Sequence, residues 1–298
     1  MQSRSSSLRR ARPLLGTIVE ITAMGLPDSL SPAIDAAFTA VEEIHRLMSF
    51  HEAGSDVSRI NAAIAGATIQ VHPHTWRVLE RAMELSTLSD GAFDVTTATL
   101  LVDHGFLPRY AEHDVATRRH TYRDLELIRP RSVKWRQKAL IDLGGIAKGY
   151  AVDCAIDALR AAGTAGGIVN AGGDLRCFGA RQPIHVRHPA KPTELISLGW
   201  LANGAIATSS GYFAGTIEEG RRIDPLVDAR NKTCIAWDAS VSVIANDCTT
   251  ADAATKIVRL AGEAMPETLA MLDAQAILID GGRIAIHGTD RLQWRNDE

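Results

Sequence analysis

Apolar and polar residues alternate through "GTIVEITAMG", Gly16 to Gly25, the two-residue period of a strand with one buried face. The period then lengthens. Through "SPAIDAAFTAVEEIHRLMSF", residues Ile34, Phe38, Val41, Ile44 and Met48 recur on one side of a helix, with Ser31 as N-cap and Pro32 in the first turn. A second helix is expected from about Thr75 to Leu88. Its apolar face carries Val78, Leu79, Ala82 and Met83, and it stops at Gly91 after Asp90. Short strands follow around "LELIR", "SVKWR" and "ALIDL", separated by turns and so expected to pair antiparallel. A third helix, roughly Ile146 to Ala162, ends at Gly163, where the missing Cβ permits a left-handed C-terminal residue.

Further strands are expected near "GGIVNAG", "LRCFG", "PIHVRH", "GAIATSS" and "SVSVIAN". A helix from about Thr250 to Ala261 ends at Gly262, and "AILIDGGRIAIHG" closes the chain as a hairpin turning at Gly281 and Gly282. Helices and antiparallel strands intermingle without a βαβ rhythm, so the expected class is α+β, largely antiparallel sheets flanked by helices. There is no internal repeat and no low-complexity linker. Residues 1–13 read as a polar tail and residues 14–298 as a single domain.

Composition supports a folded enzyme-sized domain: 298 residues, 46% hydrophobic and 22% charged, are enough to bury a substantial core. A formal net charge of -3 lacks the cationic excess with which nucleic-acid binders displace counterions. Cys154, Cys177, Cys234 and Cys248 show no C-x-x-C spacing, so neither a zinc site nor a disulfide framework is indicated. No apolar run approaches the length of a membrane span, and "PLLGTIVEI" is too short for a secretory signal. The expectation is a soluble, cytoplasmic chain.

Candidate chemistry sits where strands run into helices. "IDLGGIAKGYAVD" places Asp142 at a strand end, Gly144 and Gly145 at a bare-backbone turn, and Lys148 one turn into a helix, an arrangement suited to an anion. It has neither the Walker spacing nor G-x-G-x-x-G, and a plain tight turn explains it as well. In "IVNAGGDLRCFG", Gly172 and Gly173 expose backbone beside Asn170 and Asp174, which suits a ligand or a β-bulge equally. "NDCTTADAATKIV" sets Asp252 in the first turn of a helix, with Thr255 and Lys256 on the same face. It is either a favourable helix-start charge or a hard oxygen ligand for Mg2+. His51 follows a helix in a loop with Ser55, Ser58 and Asn61, and Asp90 and Asp94 flank Phe93.

The order of these blocks resembles the FAD:protein FMN transferases, the ApbE-type flavin transferases. The resemblance runs from about Leu14 to Gly262 through "LLGTIVEI", "MSFHEAGSDVSRIN", "DGAFDVTTATLLVDHGF", "IDLGGIAKGYAVD", "VNAGGDLRCFG", "IATSSGY", "RRIDP" and "ADAATKIVRLAG". It implies two interlocked α+β lobes with FAD between them. The implied reaction is Mg2+-dependent cleavage of the FAD pyrophosphate, transfer of FMN to a Thr or Ser hydroxyl of an acceptor flavoprotein bearing an Asp-x-x-Ser/Thr-Gly-Ala motif, and release of AMP. By the same resemblance, Leu15, His51, Ala92, Phe93, Asp94, Asp142 and Lys148 match the FAD contacts. Gly145, through its carbonyl, and Asp252 match the metal ligands.

Three positions depart from the family's pattern. His51 stands where the family usually has Tyr. Lys256 stands where it usually has a Thr metal ligand, with Thr255 one residue earlier as the available hydroxyl. Arg221, in "RRIDP", replaces the His implicated in catalysis; Arg stays protonated and clamps phosphate rather than acting as a base. The expected roles are therefore Asp252, Gly145 and Thr255 at the metal, Asp142 and Lys148 on the dinucleotide, and Arg221 and Lys256 on phosphate charge. FAD binding without transfer, and FAD hydrolysis to FMN and AMP, stand as the alternatives.

Overall fold

A computed structural model describes residues 6–110, 120–210, 215–218 and 220–292. The chain begins with a hairpin, β1 (Ser6–Leu14) and β2 (Thr17–Gly25), turning on Leu15 and Gly16. Both turn residues have positive φ, 55° and 70°, the conformation that matches the twist of two paired strands. The expectation of a polar tail over residues 1–13 is thus corrected in its described part. The run "SSLRRARPL" is an edge strand whose polar residues lie on both faces, leaving no apolar stripe to reveal it. Arg10 and Arg12 instead reach Asp35 at 3.0 and 3.3 Å.

Helix α1 (Pro27–Met48) starts a turn before Ser31, so Ser31 is not its cap and Pro32 lies inside it. Pro27 opens the helix, and the N–H and hydroxyl of Ser29 both return to the Leu26 carbonyl. The expected apolar face is buried throughout. Then come α2 (Asp56–Ala62), β3 (Thr68–Gln70), α3 (Pro73–Leu88), α4 (Ala98–Asp103), β4 (Leu125–Ile128) and β5 (Ser132–Trp135). A small sheet has the order β3-β5-β4. The stretch "ALIDL" does not join it. Leu140 makes an isolated parallel bridge to Thr97, and the Asp142 N–H reaches the Val95 carbonyl at 2.9 Å.

Next are α5 (Ala147–Ala161), β6 (Gly166–Ala171), β7 (Asp174–Phe178), the hairpin β8 (Gln182–His188) and β9 (Lys191–Leu201), and β10 (Ala205–Ser210). Two short pairs follow, β11 (Thr216–Glu218) with β12 (Arg221–Ile223) and β13 (Val227–Asp228) with β14 (Thr233–Cys234). The chain ends on β15 (Ser240–Ala245), α6 (Cys248–Ala261), α7 (Met265–Met271), β16 (Gln275–Asp280) and β17 (Arg283–Gly288).

The main sheet has the order β1-β2-β6-β7-β10-β15-β16-β17, so its strands enter in chain order and every neighbour is antiparallel. Period-two alternation makes two cores from it. Val241 and Val243 of β15 face the larger core with Phe38 of α1 and Ile156 of α5, while Ile244 faces a second core under the β8–β9 hairpin with Ile184 and Ile277. Leu79 of α3 and Trp135 of the small sheet belong to the larger core, which interlocks the two parts of the molecule. No helix among the described residues is long and apolar enough to cross a membrane.

Candidate active site

Local hydrogen bonding brings the separated sequence blocks to one place. Asn61, at the end of α2, grips Ile141 with both ends of its amide: Nδ2 donates to the Ile141 carbonyl at 2.9 Å and Oδ1 accepts its N–H at 2.8 Å. Ser55 caps α2 by accepting the Ser58 N–H at 3.0 Å. These polar residues of the His51 loop thus hold the Asp142 turn in position. From the other side, the Val95 carbonyl binds the Asp142 N–H, setting the Phe93 loop alongside. Asp94 organises that loop, accepting the N–H and hydroxyl of Thr96 at 2.7 Å each and the Tyr122 N–H at 2.8 Å.

The starts of α5 and α6 then meet. The Gly149 N–H donates to Asp252 Oδ2 at 3.1 Å. A Cβ on Gly149 would overlap the Cys248 carbonyl and lie 2.9 Å from the Asp252 Cβ, so glycine is what permits the approach. Asp153, one turn further along α5, accepts the N–H groups of Cys248 and Thr249 at 2.9 and 2.8 Å and pairs with Arg176 at 2.7 Å. It satisfies two of the first donors of α6, while Asp247 caps the same helix through the Thr250 N–H at 2.7 Å.

Around this junction lies a mixed ionic cluster. Lys148 pairs with Asp174 and stands 3.6 Å from Asp252 Oδ2. The Lys256 ammonium contacts Asp252 Oδ1 and donates to the Asp252 carbonyl at 2.9 Å. Burial opposes the charge on Lys148, but Asp174 and Asp252 outweigh it and hold its pKa above the usual lysine value. Burial likewise works against ionised Asp252, yet Lys148 and Lys256 keep its pKa below the ordinary carboxylate value. For Asp142 burial wins and its pKa is raised, although the Gly144 N–H, His51 and both lysines act against the rise. Asp174 is raised too, by burial and by the neighbouring Asp252 charge.

Two adjoining hollows open on this cluster. One, of about 280 Å³, is lined by Phe93, Phe106, Leu101 and Leu226, with Asp142 and Gly145 at its wall. The other, of about 200 Å³, is lined by Lys148, Asp174, Ser209, Asp224 and Arg259. Gly144, Pro225, Leu226 and Lys256 border both, making one cleft with an apolar half and a charged half.

Of the expected site residues, Ala92, Phe93, Asp94, Asp142, Gly145, Lys148 and Lys256 line this cleft, and Asp252 lies directly beneath it. Leu15 borders a separate shallow concavity with His45 and Thr17. His51 is exposed but close enough to act on the Asp142 charge. Arg221 falls in β12, and its side chain lies outside the described residues. Sequence reasoning missed Asp174 as the partner of Lys148, and missed Arg259. The latter carried one signal: a charged residue between Val258 and Leu260 on a helix buried almost all round.

The donor set does not suit a divalent ion. Thr255 is buried and turns its hydroxyl to the Asp252 carbonyl at 2.7 Å. Both Asp252 oxygens are engaged, one by Lys256 and the other by the Gly149 N–H and Lys148. A doubly charged ion within about 4 Å of two ammonium groups would meet repulsion on the order of several kcal/mol even at an effective dielectric near 20.

A model of the ApbE family matches residues 15–278. The chain belongs to the ApbE family. Its relatives there include the FAD:protein FMN transferase of Vibrio cholerae, 29% identical over 84% of this chain and 80% of that protein. The FAD:protein FMN transferase of Rhodobacter capsulatus is 26% identical over 89% of this chain, which spans only 54% of that protein's length. Among solved structures, the ApbE protein of Thermotoga maritima superposes with a TM-score of 0.81 at 28% identity, covering 96% of this chain and 97% of its own. The Vibrio cholerae flavin transferase ApbE shares the fold with the same TM-score at 22% identity. The mixed α+β architecture expected from the sequence is therefore the family's architecture.

Proposed function

We propose that the chain transfers FMN from FAD to a Thr or Ser hydroxyl of an acceptor flavoprotein, releasing AMP. The observation that carries this reading is the cleft itself. A flavin dinucleotide is two flat ring systems joined by a diphosphate, and the cleft joins an apolar hollow beside Phe93 and Leu226 to a recess holding Lys148, Lys256 and Arg259. Family membership supports the same reaction class, since the named relatives are FAD:protein FMN transferases.

In this reading the acceptor oxygen bonds to the FMN phosphorus as the bridging P–O bond breaks and AMP departs. The two lysines and Arg259 neutralise charge gathering on the phosphate oxygens. Asp142, whose proton affinity burial raises, is the carboxylate on the cleft wall that takes the hydroxyl proton. Asp252 positions both ammonium groups rather than touching substrate. The resemblance implies Mg2+ as cofactor, but the residues present do not fit it, so no step passes through a metal. The acceptor carries the Asp-x-x-Ser/Thr-Gly-Ala pattern that the resemblance implies.

The test is to incubate the purified chain with FAD and a peptide of that pattern, following AMP by chromatography and flavin on the peptide by mass spectrometry. Equal amounts of AMP and flavinylated peptide are expected. AMP with free FMN would show hydrolysis instead, and bound FAD without AMP would show a binding protein. Asp252→Asn is expected to cut transfer at least about tenfold, because it removes the counter-charge fixing both ammonium groups. Unchanged transfer in that variant would contradict the role given to Asp252.

A further inference from the structure

The positions that the family resemblance assigns to a metal are bridged by a side chain. Lys256 passes Gly145, its Cε lying 3.7 Å from where a Gly145 Cβ would be, and its ammonium ends on Asp252 Oδ1 and the Asp252 carbonyl. A fixed cation thus occupies the space between the Gly145 backbone and the Asp252 carboxylate.

One turn further along α6, the Arg259 side chain is 3% exposed and lines the charged recess. Its Nη1 donates to Ser209 Oγ at 3.0 Å, but Nε and Nη2 have no hydrogen-bond partner. The nearest carboxylate, Asp224, is 3.9 Å away and already accepts the Arg222 side chain at 3.1 Å and the Trp237 N–H at 2.9 Å. Burial lowers the Arg259 pKa only to about 10, so it stays charged near neutrality. A buried guanidinium with two unfilled donors on a cavity wall calls for an anion with several acceptor oxygens.

We propose that the Lys256 ammonium and the Arg259 guanidinium take the place of a divalent cation, so that this chain binds the diphosphate of its flavin dinucleotide without metal. The inference rests on the reading of the cleft as an FAD site. Chemically, it makes Lys256 a point charge against the diphosphate and Arg259 a planar fork for two phosphate oxygens, with Lys148 beside them.

The test is calorimetric titration of FAD into the chain, once in a chelator and once in millimolar Mg2+. The two dissociation constants are expected to agree within about threefold. Arg259→Met is expected to weaken binding about tenfold or more in both media, from the loss of charge-assisted hydrogen bonds. Lys256→Thr, which restores the family's usual residue, is expected to weaken binding similarly in the chelator; unchanged binding there would remove Lys256 from the proposal. A wild-type affinity that collapses more than about tenfold in the chelator overturns the proposal while leaving the FAD reading intact. No FAD uptake in either medium overturns that reading and the proposal with it. The comparison of media needs no variant, so a misfolded variant does not shelter the idea. As a second readout, Mn2+ titrated into the wild-type chain and followed by electron spin resonance should remain free; a bound ion released by Asp252→Asn would contradict the account.

Discussion

At Gly149 a side chain would run into the Cys248 carbonyl and crowd the Asp252 Cβ, so the two helix starts touch only because one of them has no Cβ. Gly149→Ala is expected to force them apart at a cost of about 1–3 kcal/mol or more, lowering the melting temperature by roughly 2–4 °C per kcal/mol. A thermal melt checks this, and an unchanged midpoint would show that the junction yields easily. Lys148 and Asp252 were legible in the sequence because each sits one turn into a helix beside small residues, where a charge has a local reason to be. Asp174 was legible only as part of a glycine turn, since its pairing with Lys148 crosses 26 positions and leaves no local trace. Thr255 shows the converse: its spacing suited a metal ligand, but a buried Thr in a helix donates to its own backbone.

Elements with a single buried face were readable. Helices α1, α3, α5 and α6 and strands β2, β6, β7, β10 and β15 lie close to where periodicity placed them, while β1, β9 and β11 to β14, with polar or short sequences, gave no signal. "ALIDL" failed for another reason: an apolar run shows burial but not which neighbour it pairs with, and here it runs beside the Phe93 loop. The N-terminus of α3 carries its own titrating group. His74 bonds the Tyr150 hydroxyl at 2.7 Å, and its pKa is lowered by burial, reinforced by His72 and Arg77 and partly offset by Glu43. The folded chain therefore resists protonating His74, whereas the unfolded chain takes up that proton below pH ~6.5. Stability contributed by His74 is present above that pH and is lost as pH falls through the folded-state pKa. Melting temperatures measured from pH 7.5 to 5.5 should fall, and should fall less in His74→Gln; equal slopes would remove His74 as the cause.

At the scale of the molecule, the cleft is assembled from blocks that no local pattern joins. A chain-ordered antiparallel sheet carries α5 and α6 on one face, and the Asn61 and Val95 contacts bring the Phe93 and Asp142 loops against their starts. The order of the blocks made the family recognisable before their meeting point was visible. What the order could not show was that the cationic side chains, rather than a ring of oxygen ligands, would crowd the junction. The most direct measurement is a crystal structure of the chain with FAD. The account predicts the diphosphate within hydrogen-bond reach of Lys148, Lys256 and Arg259, with a ring system against Phe93 and Leu226. A dinucleotide lodged elsewhere, such as the concavity beside Leu15, with those three cations untouched, would contradict it.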